Sequence, residues 1–151
     1  MLLRRILTIL PLVAAASSAL SAPSLTVGAV SGAPGSTVNV PVSISNDSSV
    51  TALQFDVLFD AAKISAVGVP TRGTALASTD HDLDSNLVSA GRFRVLLLSN
   101  SLTVVPNGEI VVIPFTIAAN APLGSVTLTL SDVEMVDGNA TVVASTVTHG
   151  E

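Results

Sequence analysis

An all-β fold, either a two-sheet sandwich or a jelly roll, is what this sequence predicts, and three observations predict it. Apolar and polar residues alternate with a period of two in most segments past residue 22, helical spacing is missing there, and turn residues recur roughly every ten positions. The chain has 151 residues, 48% hydrophobic and only 11% charged, which is enough for one buried core and too short for two ordinary domains. With no cysteine, it must fold without disulfides or thiolate metal sites.

Residues 1–22 read as an address rather than as structure. Arg4 and Arg5 give a basic start, Ile6 to Ala16 an apolar stretch, and small residues run on to Ala22, the pattern of a secretory signal peptide. The apolar part is about half of the roughly 20 residues that span a bilayer. The expected products are a leader, 1–22, and one domain, 23–151, released to the extracellular space or the periplasm with no membrane attachment after cleavage. The formal charge is −5, and both leader arginines count toward it, so the processed chain is more acidic still. Such a surface repels phosphate backbones, which argues against a nucleic-acid partner.

The elements follow in order. Ser24 to Val30 is a weak strand, and Ser31 to Ser36, rich in Gly and Pro, is a turn. Thr37 to Ile44 sets Val38, Val40, Val42 and Ile44 on one face. Pro41 has no backbone N–H to donate, so it predicts an edge strand or a bulge. Ala52 to Asp60 points Leu53, Phe55, Val57 and Phe59 inward and Ala52, Gln54, Asp56 and Leu58 outward. Arg92 to Ser99 buries Phe93, Val95 and Leu97 and shows Arg92, Arg94, Leu96 and Leu98. Asn107-Gly108 is a turn, after which Val111, Ile113, Phe115 and Ile117 share a face. Val126, Leu128 and Leu130 alternate with threonines, and Thr141 to Thr148 supplies a last strand of β-branched residues.

The order of these motifs resembles the cohesin domain. Gly35 to Val42 (GSTVNVPV) is similar to the family's opening strand, and Ala52 to Asp60 (ALQFDVLFD) to its "F-x-L-x-Y/F-D" strand. Ile64 to Val67, Gly91 to Ser99, and Asn107 to Ile117 resemble its later segments. The likeness spans about residues 25 to 148, essentially the whole processed chain. It implies a jelly-roll sandwich of about nine strands and a non-catalytic module that docks dockerin-bearing proteins in extracellular polysaccharide-degrading or surface assemblies. In that family, outward polar residues of the "F-x-L-x-Y-D" strand contact the dockerin; the matching positions here are Ala52 and Gln54.

From the residues themselves, the candidate partner face is Gln54, Asp56, Leu58, Arg94, Leu96 and Leu98. If their two strands are neighbours, Leu58, Leu96 and Leu98 form an exposed apolar strip with polar edges, the composition of a docking surface. The plainer reading is that a loop covers the strip. A second candidate is Asp80-His81-Asp82-Leu83-Asp84, where alternate carboxylates of Asp80, Asp82 and Asp84 could gather around Ca²⁺. An EF-hand loop is excluded, since Ser85 stands where glycine is needed and Gly91 where glutamate is. A solvated acidic loop is the plainer reading here, and no other cofactor is expected.

Catalysis has no support: His81 and His149, read as surface residues, sit in no nucleophile motif. Asp60 is expected to cap a turn. Two alternatives to protein docking are a polysaccharide-binding module, which the lack of Trp and Tyr disfavours, and a structural or adhesive surface subunit.

Overall fold

A computed structural model describes residues 21–47 and 49–151, so the predicted leader lies outside the described residues except for its last two. Ten strands form among the described residues: β1 (Ser24–Val27), β2 (Thr37–Ser45), β3 (Val50–Leu58), β4 (Ile64–Val67), β5 (Thr71–Arg72), β6 (His81–Ser89), β7 (Arg92–Ser99), β8 (Gly108–Ile117), β9 (Thr129–Asp137) and β10 (Thr146–Thr148). One 3-10 turn, Thr74–Leu76, interrupts them, and no α-helix occurs among the described residues. The first sheet runs β10-β1-β2-β8-β4, with β5 also paired to β8; the second runs β6-β7-β3-β9. The all-β two-sheet sandwich is thus as predicted, with one strand more than the nine expected.

The core lies between the sheets and is made by the alternation described above. Val40, Val42 and Ile44 of β2 and Val111, Ile113 and Phe115 of β8 meet Leu53, Phe55 and Val57 of β3 and Phe93, Val95 and Leu97 of β7, all buried. Burial of each such side chain contributes about 1.5–3 kcal/mol. Phe59 packs edge-on against Phe115 with ring centroids 5.4 Å apart, so no phenylalanine is left exposed.

Several elements refine or differ from the sequence reading; the last strand, expected over Thr141 to Thr148, is confined to Thr146–Thr148. Of the two alternatives for Pro41 the bulge holds and the edge does not: β2 lies between β1 and β8, β1 ends opposite Val42, and the register with β8 slips between Val42 and Ser43, so the missing N–H falls beside a bulge. The acidic run is not a loop: His81–Ser89 is the edge strand β6, paired with β7. The strand predicted around Leu128 instead begins at Thr129 and extends to Asp137.

Past β9 the chain turns back along that strand. Asp137 holds the turn by accepting from the N–H groups of Asn139 (2.8 Å) and Thr141 (2.9 Å), which keeps its carboxyl below the usual range. Val142 then bridges Val136, and the N–H of Val143 donates to the Met135 carbonyl at 2.8 Å. The free edge of β9 is covered in this way, while β6 leaves the opposite edge of the second sheet open.

Candidate docking face

The outer face of the second sheet is built in tiers by the register of its strands. In an antiparallel pair, residues directly opposite point to the same side. Gln54 of β3 stands between Leu96 of β7 and Glu134 of β9, and Leu96 in turn stands beside Asp84 of β6. One step along, Ala52 faces Val136, and Leu98 faces Asp82. These residues enclose a trough of about 180 Å³, floored by Ala52 and Gln54 and walled by Leu96 and Leu98 on one side and Val136 and Glu134 on the other. The floor is low because alanine is the smallest side chain in the tier. Leu98 is 46% exposed, and no loop covers it.

The next tier is polar. Asp56 faces Arg94 across β3–β7, and its fully buried carboxylate accepts from Arg94 Nε (2.6 Å), Arg94 Nη2 (3.0 Å) and Arg92 Nε. Arg92 also donates from Nη2 to Asp132 at 2.7 Å. The guanidinium of Arg94, then that of Arg92, holds the Asp56 carboxyl below the ordinary carboxylate range against the opposing effect of burial. Asp132 reaches the cluster through a β-bulge. The pairing of β3 with β9 slips between Gln54 and Asp56, and Asp132 takes a positive φ of 46°.

All six residues predicted for the partner face lie on this side of adjacent strands, and the structure divides them. Gln54, Leu96 and Leu98 belong to the trough, and Arg94 borders it. Leu58 does not join the apolar strip, because it pairs with Arg92 beyond the Asp56–Arg94 tier. Asp56 cannot meet a partner directly, since its side chain is fully buried and positions the two arginines instead. Ala52 was noted from the family resemblance. Val136, Glu134 and Asp82 were not, since only the β9 and β6 pairings bring them here.

The calcium expectation is corrected by the strand. Asp82 and Asp84 stand side by side on an extended backbone, about 7 Å apart along β6, and do not converge. Asp80 lies before the strand and caps the loop that leaves β7, accepting from Ser99 Oγ (2.9 Å) and the Ser101 N–H (3.1 Å). Hydroxyl and backbone donors of Thr103, Ser101 and Ser99 keep its carboxyl far below the usual range. Among the described residues, no group of three or more His, Cys, Asp or Glu side chains is arranged to hold a metal ion.

His81 is also corrected: it is completely buried rather than on the surface, and neither ring nitrogen has a hydrogen-bond partner. His149 is exposed, and its Nδ1 accepts the N–H of Leu130 at 3.0 Å. Among the described residues, neither histidine is hydrogen-bonded to a hydroxyl or a carboxylate, the arrangement that activates a nucleophile. Asp60 caps its turn as expected, accepting the N–H of Ala62 at 2.9 Å. A larger cavity, about 370 Å³, opens between the first sheet and residues 124–128, lined mainly by core aliphatics. Its one carboxylate, Glu151, accepts from Ser125 at 3.3 Å.

Comparison with known proteins places these features. A family model described as "Cohesin domain" matches residues 23–151. No curated protein matches the chain. Among solved structures, CaCohA2 from Clostridium acetobutylicum is 28% identical, with a TM-score of 0.74 over 85% of this chain and 88% of that one. CaCohA2 bound to CaDoc0917 matches at 26% identity and a TM-score of 0.73, over 85% of this chain and 96% of that one. The sixth cohesin of scaffoldin B from Acetivibrio cellulolyticus, in complex with a Cel5 dockerin, is 26% identical with a TM-score of 0.76, over 86% and 96%. A non-cellulosomal cohesin from the archaeon Archaeoglobus fulgidus shares the fold, with a TM-score of 0.72 at 18% identity over 86% and 88%.

Proposed function

The chain belongs to the cohesin domain family, and from that premise we propose that it is a secreted, non-catalytic docking module whose partner is a dockerin-bearing protein. Residues 1–22 are its export leader and 23–151 its working domain. The docking face is the outer side of β6-β7-β3-β9, where Gln54, Arg94, Leu96 and Leu98 act together with Ala52 and Val136.

One observation carries the reading. This face has an uncovered apolar trough beside a rigid ion-paired tier, so a partner can bury apolar surface and find polar register at the same time. The relatives from C. acetobutylicum and A. cellulolyticus are solved with dockerins bound, which supports the class of partner. The absence of an exposed aromatic ring removes the stacking platform that a polysaccharide would favour.

The test is the double substitution Leu96→Asp with Leu98→Asp, titrated calorimetrically against a panel of dockerin modules. Two anchor positions at about 1.5 kcal/mol each predict a loss of about a hundredfold in affinity. Both side chains point away from the core, so the thermal midpoint should hardly move. Unchanged affinity for a module that binds the parent domain would move the docking face elsewhere.

A further inference from the structure

Resting on the reading of residues 1–22 as an export leader, we infer that Asn139 is an N-glycosylation site whose co-substrate is an oligosaccharide carried on a polyprenyl diphosphate. An asparagine becomes an acceptor when serine or threonine stands two residues later with no proline between, and such positions lie on surface loops of exported proteins. Seven asparagines occur in the chain, and two meet that rule: Asn46, followed by Asp47-Ser48, and Asn139, followed by Ala140-Thr141.

The structure separates the two. Asn46 is buried, and its amide nitrogen donates to the carbonyls of both Val105 (2.8 Å) and Val50 (3.2 Å). A sugar on that nitrogen replaces one of its two hydrogens, so one carbonyl loses its donor and the ring must enter a closed site. A chain modified there cannot complete this fold.

Asn139 has the opposite setting. It sits in the turn that leaves β9, where Gly138, Asn139, Ala140 and Thr141 are all exposed. The space there is open: beyond its chain neighbours, the nearest heavy atom to a Cβ placed on Gly138 is Thr51 Cγ2, 3.9 Å away. Backbone donors set the shape of the turn, since the N–H groups of Asn139 and Thr141 both reach the Asp137 carboxylate. A sugar on the Asn139 side chain leaves those two bonds in place and projects into solvent.

The transfer forms one bond and breaks one. Nδ2 of Asn139 attacks the anomeric carbon of the lipid-linked sugar, the bond from that carbon to the diphosphate oxygen breaks, and an amide proton passes to a base of the transferase. Polyprenyl diphosphate leaves, and Thr141 supplies the hydroxyl that the acceptor rule requires.

The experiment is intact-mass and glycopeptide analysis of the protein made from its full chain in the organism that carries it, recovered both from the cells and outside the cytoplasm. The released, leaderless protein should carry the added mass of whole sugar residues, all of it on the peptide that holds Asn139. An amidase specific for N-linked sugars should remove that mass and convert the Asn139 side chain to a carboxylate. Asn139→Gln and Thr141→Ala should each lose the added mass completely while still being released, and Thr141→Ser should keep it.

A released, leaderless protein with an unmodified Asn139 overturns the inference and leaves the export reading standing. Sugar on Asn46 of the folded, released protein overturns it too, because the fold would then not select between the two acceptors. A protein retained in the cytoplasm with its leader attached and no sugar overturns both readings.

Discussion

Replacing Asp56 with asparagine keeps the shape of the side chain and removes the charge that two guanidinium groups share. The asparagine amide can place one oxygen toward Arg94, but its NH₂ then points at a donor of Arg92, leaving two donors face to face. Breaking one partner out of a fully buried ion pair costs about 3–5 kcal/mol. Here the arginine side chains are 34% exposed and Arg92 retains Asp132, so water and the second carboxylate recover part of that. The expected loss is about 2–3 kcal/mol at pH 7, or about 6–12 °C in thermal midpoint for a domain of this size.

The pH dependence gives a sharper test of the cause. The folded-state pKa of Asp56 is depressed, so its contribution is complete above the unfolded value of about 3.9 and is lost as pH falls through the lower folded value. The gap between parent and Asp56→Asn should therefore be constant from pH 7 down to about pH 5 and shrink in stronger acid. Urea unfolding followed by far-ultraviolet circular dichroism measures both quantities. A loss below 0.5 kcal/mol at pH 7, or a gap that stays constant into strong acid, would refute the argument.

Two further outcomes follow from buried polar groups. His81→Leu should leave the domain as stable or raise its midpoint by a few degrees, because it removes two buried nitrogens that have no partner; a loss above about 1 kcal/mol in urea unfolding contradicts this. Asn46→Ala should cost about 2–3 kcal/mol and quicken proteolysis between residues 46 and 50. The buried Asn46 amide donates to the carbonyls of Val105 (2.8 Å) and Val50 (3.2 Å) and accepts the Val50 N–H (3.2 Å), and limited digestion with an intact-mass readout measures the opening.

How much of this was legible in the sequence depends on how each strand is buried. β2, β3, β7 and β8 each press one face on the core, so valines, leucines and phenylalanines recur at every second residue and the pattern is plain. β6 was hidden because it is an edge: its inward Leu83 and Ser85 are only half-buried and its outward positions are acidic, a composition that reads as solvated loop. β9 was hidden past Leu130 for a different reason. The bulge at Asp132 shifts the buried set to Leu130, Val133 and Met135, which breaks a period of two.

The docking face shows the same division. Parity along β3 and β7 placed Gln54, Leu96 and Leu98 on one side, since side-chain alternation is a local property. The second wall, Val136 and Glu134, and the acidic rim of Asp82 and Asp84 depend on which strands lie next to each other, and no local pattern states that. Asp56 was placed on the correct face, yet its neutralisation by two arginines and its complete burial are consequences of cross-strand pairing.

The most direct measurement of the central claim is amide chemical-shift mapping of the ¹⁵N-labelled domain titrated with a dockerin module that it binds. Changes should concentrate at Ala52, Gln54, Leu96, Leu98, Glu134 and Val136, with Asp82 and Asp84 at the border. Changes confined to β1, β4 or β10 of the other sheet, with those residues silent, would contradict it.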